Sequence, residues 1–462
     1  MLRVAVAIVP EVRQLLREDP SQLSALMEEI HDEDLADLLG LLDENEAAQI
    51  LRELKATEAA QIFERLDEDT QEALVEQLGV ERMAPIVAEM AADDRTDLIE
   101  ALPEQVGDDL VETLEKVDPE AAAEVEALAK WPEDSAGGLM TTDYIAVAPD
   151  MSVADVIERI RTDGAEAETV YYTYVVDDRH RLVGIASLRD LLLATPQTVK
   201  VSEVMTENVT SVAPDTDQED VARTMAKYDF AALPVLGPHR KLLGVITFDD
   251  VMDVLTQEQT EDMQRLGAVE PTEEGYFQTT FWTFIRKRGL WLSVLFVSEL
   301  ITGNVMRHYE GVIHAVTALS VYVPLLISTG GNSGSQSASL IIRGLAVGEV
   351  KASDWRRVFV REVSQGLVLG FALALMGMIR VWAWGDGTAI MFTIGVTLLV
   401  IVAAGCTVGA MLPLLLRRLG LDPATSSTPF IATLIDVLGI LVYFNVAKLM
   451  LAEVLKAAAI PH

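Results

Sequence analysis

Residues Gly387–Leu416 read GTAIMFTIGVTLLVIVAAGCTVGAMLPLLL, thirty positions without one charged side chain. A membrane core about 30 Å thick is spanned by roughly 20 apolar helical residues, so this stretch predicts a transmembrane helix. Three more spans lie around it. Val363–Ile379 is uncharged and runs into Val381-Trp382-Ala383-Trp384, aromatic residues suited to a membrane interface. Ala424–Ala447 carries one charge, Asp436, and Gly289–Met306 carries one, Glu299. A fifth segment begins at Val312–Ile327 and continues through Gly330-Gly331-Asn332-Ser333-Gly334-Ser335-Gln336 to Val347. The expected fold class is a multidomain membrane protein whose residues 285–462 form an all-α domain of five transmembrane helices.

Basic residues set the expected orientation. Arg286-Lys287-Arg288 precede the first span, Lys351, Arg356, Arg357 and Arg361 separate the second and third, and Arg417-Arg418 follow the fourth. The intervening loops are poorer in bases. The amino-terminal half is therefore expected in the cytoplasm and the carboxyl terminus outside, in a plasma or inner membrane. No charged-then-apolar leader stands before residue 30, which agrees with a cytoplasmic start.

The chain has 462 residues, 72 of them Asp or Glu and 35 Lys or Arg, a formal net charge of −37. That charge is unevenly spread. Residues 1–285 hold 63 of the acids and 21 of the bases, whereas 286–462 hold 9 and 14. So acidic a surface excludes nucleic-acid binding, which needs bases to neutralise phosphates. One Cys excludes a disulfide framework and a thiolate metal cluster. With no HExxH, Walker A or nucleophile-elbow motif and six scattered His residues, nothing in the sequence points to an enzyme.

Two repeats organise the acidic half. Leu42, Leu54, Leu66, Leu78, Met90, Leu102 and Leu114 recur every twelve residues, and Leu38, Ile50, Ile62, Leu74, Ile86, Leu98 and Leu110 keep the same period. Twelve fits neither a heptad nor an 11-residue repeat. It predicts two-turn helices joined by turns, an all-α solenoid over 1–130. Farther on, Met140-Thr141 and Val147-Ala148-Pro149-Asp150 recur 65 residues later as Met205-Thr206 and Val212-Ala213-Pro214-Asp215. Gly184-Ile185-Ala186-Ser187-Leu188-Arg189-Asp190 is echoed by Gly244-Val245-Ile246-Thr247-Phe248-Asp249-Asp250. Each unit reads as strand, helix, two strands, helix. This pattern resembles the tandem cystathionine-β-synthase (CBS) module, an α/β pair with units at 131–200 and 201–262. In that family the Ser/Thr and Asp cap the last helix, and the Asp can hold a nucleotide ribose. Ser187, Arg189 and Asp190 are the nucleotide candidates the resemblance implies, for ATP or another adenine nucleotide; the simpler reading is an N-cap. A charged helix, Val251 to about Leu266, opens a linker region over 251–284.

Carboxylates inside a membrane are costly and mark functional sites. Asp436 sits in Ala432-Thr433-Leu434-Ile435-Asp436, with Thr428-Pro429 two turns earlier. Pro429 is expected to bend the helix and free a backbone carbonyl. Gly330-Gly331-Asn332 reads as a break in the second span, its small and hydroxyl residues permitting close helix approach while Asn332 and Gln336 offer amides one turn apart. Hard divalent cations take oxygen ligands, and Mg²⁺ keeps several waters while using one or two carboxylates. A protonated or interhelically bonded Asp436 is the competing reading.

The Pro324…Gly-Gly-Asn-x-Gly-x-Gln segment, the Asp422-Pro423-Ala424…Pro429…Ala432-Thr433-x-x-Asp436 segment, and the order solenoid, CBS pair, linker helix, five spans resemble the MgtE family of magnesium channels over essentially the whole chain. The resemblance implies a homodimer with a pore on its axis, lined by the second and fifth spans, with Asp436, Asn332, Thr428 and Gly331 around hydrated Mg²⁺. It also implies closure by cytosolic Mg²⁺ bound between soluble domains. Its sensor candidates are Glu219, Asp220, Asp229, Asp249, Asp250, Asp253, Glu258, Glu261 and Asp262, with Asp93, Asp94 and Asp97 in the solenoid. The spacing of Asp250, Asp253, Glu258, Glu261 and Asp262 puts carboxylates on a shared helix face. A solvated acidic surface accounts for most of the 63 acids. Two rivals remain: a secondary transporter coupling divalent-metal movement to another cation, and a membrane-tethered CBS nucleotide sensor.

Overall fold

The computed structural model describes residues 3–18, 23–27, 30–165, 167–272, 276 and 279–458. Ten helices open the chain: α1 (Arg3–Glu18), α2 (Leu23–Met27), α3 (Asp32–Leu39), α4 (Glu44–Glu53), α5 (Ala56–Phe63), α6 (Glu68–Leu78), α7 (Val80–Val87), α8 (Ala92–Ala101), α9 (Glu104–Val117) and α10 (Pro119–Leu128). The twelve-residue rhythm has a local cause. Asp43, Lys55, Asp67, Gly79, Ala91 and Pro103, each following a repeat position, are the N-caps of α4 to α9. Asp43 and Asp67 accept from the backbone N–H three residues on, a cap worth about 1 kcal/mol. Gly79 ends α6 and starts α7 at φ +80°, a conformation that favours glycine. Leu38, Ile50, Ile62, Leu74, Ile86, Leu98 and Leu110 are all buried in one core. Helices pack on their next-but-one neighbours, α3 on α5, α5 on α7 and α7 on α9 in one row, α4 on α6, α6 on α8 and α8 on α10 in the other.

Next come β1 (Ala146–Val147), α11 (Val153–Asp163), β2 (Tyr172–Val176), β3 (Leu182–Ser187), α12 (Leu188–Leu193), α13 (Val201–Val204), α14 (Gln218–Tyr228), β4 (Ala232–Leu236), β5 (Leu242–Thr247) and α15 (Phe248–Leu266). β1 runs parallel to β2, which is antiparallel to β3; β4 and β5 repeat that hairpin, and Val212 bridges Val235 where a first strand would lie. Both hairpins shift register at matching positions, Val175/Val176 and Val235/Leu236. The echoed Met-Thr pairs cross over: Thr141 bridges Val245 of the second unit, and Thr206 bridges Ile185 of the first. Gly184 and Gly244 permit this, since a Cβ on Gly184 would come 2.5 Å from Met205 Sδ and one on Gly244 2.6 Å from the Thr141 carbonyl.

The remaining helices are α16 (Phe281–His308), α17 (Glu310–Ala315), α18 (Ala318–Ala346), α19 (Trp355–Trp384), α20 (Thr388–Arg418), α21 (Thr428–Met450) and α22 (Ala452–Ala458). By length and composition α16, α19 (with the preceding Ala352–Asp354), α20 and α21 can cross a membrane. α18 is 29 residues long, but its Ser, Thr, Asn and Gln residues lower its hydropathy, and it is not one of these four. α20 is the hub, packed on α18, α19 and α21, with 56% of its apolar window buried against 6% for α16. Glycine sets the approach. A Cβ on Gly405 would lie 2.8 Å from the Gly330 carbonyl, one on Gly409 would run into the Gly334 carbonyl, and one on Gly366 would lie 2.7 Å from Ala403 Cα.

The chain forms two compact units, residues 1–255 and 256–462. α15 runs unbroken through the junction, so the expected linker helix is the last CBS helix prolonged. The acidic stretch after it lies partly outside the described residues. Two expectations are corrected. α18 is continuous through Gly330-Gly331-Asn332, where the glycines serve close packing rather than a break. Pro429 stands in the first turn of α21, where its missing N–H has no helical partner to lose, so it neither bends the span nor frees a carbonyl within it.

Candidate metal sites

Asp436 is half-buried on α21, and α18 meets it through Gly331. A Cβ on Gly331 would lie 3.4 Å from Ala432 Cβ and 3.6 Å from Asp436 Oδ1, so any larger side chain there would crowd the carboxylate. Ser335 Oγ donates to the Thr428 carbonyl at 3.4 Å, joining α18 to the first turn of α21. Thr428 itself stands eight residues before Asp436, about 12 Å along the helix, too far to share one directly bound ion. Asn332 is exposed, its Nδ2 donating to Ser328 Oγ at 3.5 Å. The hydroxyls of Thr329, Ser333 and Ser339 donate to carbonyls four residues back, so these residues serve packing. Glu362 is a carboxylate the sequence conceals. It directly follows Arg361 yet is buried, accepting from Ser337 Oγ at 2.7 Å.

The second site lies in the soluble unit. Asp93 and Asp94 occupy the first turn of α8, where the positive helix end favours anions, and Asp97 follows one turn on. Burial, reinforced by mutual repulsion and by Asp250 and Glu168, holds the Asp93 carboxyl well above the usual range. The same causes push Asp94 up to about 8, with burial foremost and Glu64 contributing. Burial and Glu133 push Asp97 to about 7, and burial with Asp250 and Asp249 pushes Glu168 to about 7. Asp250 is also raised, chiefly by burial, although Thr247 donates to it through backbone N–H and hydroxyl. The base within this group is turned away: Arg95 donates to the carbonyls of Val87, Ala88, Met90 and Ala121 and pairs with Glu124 at 3.0 Å. Asp93 Oδ1 is buried without a hydrogen-bond partner. An orphaned carboxylate oxygen among repelling carboxylates fits an oxygen-preferring divalent cation. Among the described residues no three His, Cys, Asp or Glu side chains are close enough to hold a metal ion as they stand.

The structure thus brings Asp93, Asp94, Asp97 and Asp250 within electrostatic reach of one another and adds Glu168 and Glu64. Glu168 and Glu64 come from distant segments and look in the sequence like any other surface acid. Asp253 is raised by burial and by Glu33 and Asp249. Glu219 is ion-paired with Arg223 at 2.9 Å, and Asp229 closes α14 in a left-handed conformation. On the carboxyl-terminal part of α15, burial and the charges of Asp422 and Glu258 push Asp262 to about 6. Arg265 ties that turn together, pairing with Glu261 at 2.7 Å and Asp422 at 2.9 Å. Asp422 in turn caps the turn before α21. In the first CBS unit, Ser187 caps α12 and donates to Asp190 at 2.6 Å, while Arg189 is exposed on the same turn.

Residues 323–446 match the family model described as divalent cation transporter, 19–134 the MgtE intracellular N domain, and 136–196 and 201–257 the CBS domain. A magnesium transporter MgtE of Thermus thermophilus is 48% identical over 338 residues, 73% of this chain and 75% of that protein. One of Enterococcus faecalis is 35% identical over 334 residues, 72% of each. Among solved structures, the cytosolic domain of the Mg²⁺ channel MgtE in complex with ATP matches 53% of this chain and 99% of that one at TM-score 0.50 and 40% identity. The soluble part of a magnesium transporter matches 55% and 99% at TM-score 0.52 and 29% identity.

Proposed function

This chain belongs to the MgtE family of magnesium transporters, and from that premise we propose that it is a homodimeric, Mg²⁺-selective channel closed by cytosolic Mg²⁺. The observation that carries the reading is Asp436, a carboxylate inside a helix long and apolar enough to cross a membrane, with Gly331 of α18 against it. Such a site suits an ion that keeps its water shell and takes one carboxylate from each protomer. The five spans are α16, α18, α19, α20 and α21, with the amino-terminal domains cytoplasmic and the carboxyl terminus outside. The domain division is 1–130, 131–200, 201–262, the linker region 251–284, and 285–462. An inside-negative potential draws a 2+ ion inward with about 4.6 kcal/mol per 100 mV, so no ATPase is needed.

The sensor is the group of Asp93, Asp97 and Asp250, with Asp253, Asp249, Glu219 and Asp229 nearby in sequence or fold and Glu258, Glu261 and Asp262 farther along α15. Bare carboxylates repel and shared Mg²⁺ draws them together, favouring the closed arrangement. The CBS pair is the candidate site for ATP or another adenine nucleotide, with Ser187, Arg189 and Asp190 as candidates, a reading supported by the solved cytosolic domain of a relative in complex with ATP. Single-channel recording in planar bilayers, with and without a proton gradient, tests the channel. A voltage-driven current of many ions per opening is expected; fixed-stoichiometry coupling to protons or another cation would instead establish a secondary transporter.

A further inference from the structure

Glu299 belongs to α16, a helix long and apolar enough to cross a membrane, and it is the only charge between Arg288 and Arg307. It stands eleven residues beyond Arg288, about 16 Å of helix, deep in the apolar stretch. Its side chain is exposed, and it makes no hydrogen bond or ion pair among the described residues. A bare carboxylate facing lipid is costly and has to meet water, a cation or a polar partner. α16 packs along α21, the helix that carries Asp436. No Lys, Arg or His lies on α21 before Lys448 to neutralise the two. The family match at 323–446 does not reach α16, so nothing in it assigns Glu299 a part.

Resting on the reading that Asp436 binds the permeating ion, we propose that Glu299 is a specificity-determining residue of the ion path: a second carboxylate that strengthens the hold on hydrated divalent cations beside Asp436. Its charge acts through water on an ion already held, so it sets affinity and divalent preference rather than the existence of permeation. With one Glu299 and one Asp436 per protomer, a dimer places four carboxylates around the path.

Full-length Glu299→Gln, Glu299→Asp, Glu299→Leu and Asp436→Asn dimers, reconstituted in planar bilayers, test this with Mg²⁺ and Na⁺ as probes. Glu299→Gln should raise the half-saturating Mg²⁺ concentration, and the Mg²⁺ concentration that blocks Na⁺ current, roughly fivefold. Glu299→Asp should restore most of the loss, and Glu299→Leu should weaken Mg²⁺ binding further. If Asp436→Asn abolishes Mg²⁺ current while Glu299→Gln and Glu299→Leu match the wild type, the proposal for Glu299 falls and the pore reading stands. If Asp436→Asn conducts normally, the pore reading falls. A second measurement avoids conduction. The thiol of Glu299→Cys should react rapidly with a membrane-impermeant cationic thiol reagent, and the native Cys406 is buried and gives little background. Failure of that cysteine to react in a properly assembled dimer would place position 299 against lipid and overturn the proposal.

Discussion

Gly331 backs onto Asp436: a Cβ at 331 would stand 3.6 Å from Oδ1 of the carboxylate and 3.4 Å from Ala432 Cβ. These are ordinary contact distances, so Gly331→Ala should assemble normally yet narrow the space beside the carboxylate, lowering Mg²⁺ flux several-fold. Asp436→Ala should nearly abolish it, and Asp436→Glu should retain part. Isotope-free Mg²⁺ uptake into proteoliposomes measures all three; wild-type uptake by Asp436→Ala would mean that the ion is held elsewhere.

Gly409 offers the contrast. A methyl group there meets the Gly334 backbone carbonyl, which cannot swing aside as a side-chain tip can. Gly409→Ala should cost about 1–3 kcal/mol of packing between α18 and α20 and lower the thermal midpoint in detergent by several degrees. A midpoint equal to that of Gly331→Ala would count against this helix contact.

The buried acids give a pH dependence of definite sign. Their carboxyls hold protons more tightly in the folded soluble unit than in the unfolded chain, with Asp97 and Glu168 titrating near 7 and Asp94 near 8. Between about pH 4 and pH 8 the folded form therefore binds more protons, and stability falls as pH rises. Millimolar Mg²⁺ should flatten that slope, compact fragment 1–270 and protect α15 from protease. Asp94→Asn should stabilise the Mg²⁺-free fragment at pH 8 by about 2 kcal/mol. Equal protection by monovalent salt at matched ionic strength would reduce the effect to screening.

Regulation should be separable from conduction. Removing residues 1–130 takes away Asp93, Asp94 and Asp97 while leaving Asp250 and α15, so on the proposed reading the truncated protein should conduct but need more cytosolic Mg²⁺ to close. Removing the CBS pair as well should leave Mg²⁺ barely able to regulate it. Patch recordings over a Mg²⁺ titration decide; a closing midpoint unchanged from the full-length protein in both truncations would put the sensor in the membrane domain.

Arg265 should matter without touching an ion. Its guanidinium joins Glu261 on α15 to Asp422 ahead of α21. Arg265→Met should loosen the end of α15 and raise open probability at low Mg²⁺ about two- to fivefold, because an exposed-to-half-buried ion pair contributes no more than about 1 kcal/mol. Unchanged gating would make the pair ornamental.

Much of this was legible in the residue pattern. The helix caps follow repeat positions every twelve residues, and the Met-Thr and Gly-x-x-Ser/Thr echoes mark the crossed bridges of the CBS pair. Asp436 stands out because a charge among apolar residues is rare. What stayed hidden depends on three-dimensional neighbours. Glu168 reaches Asp250 only through the fold, and Glu362 looks like the end of a charged run although it is buried against Ser337. Two local signals misled: the Gly-Gly-Asn segment and Pro429 both read as helix breakers. The first is a packing surface within a continuous helix, and the second is simply where a helix begins.

The two rows of solenoid helices carry a parity. One twelve-residue repeat advances the chain by one helix, which lands in the opposite row; only two repeats return it to the same one. Loss or gain of a single repeat between α8 and the CBS pair would move Asp93, Asp94 and Asp97 to the other side of the stack, away from Asp250. A 24-residue change would leave them where they are. Length variation between α8 and the CBS pair should therefore be tolerated in even numbers of repeats, and an odd change there should disconnect the acids from α15 even when every helix still folds.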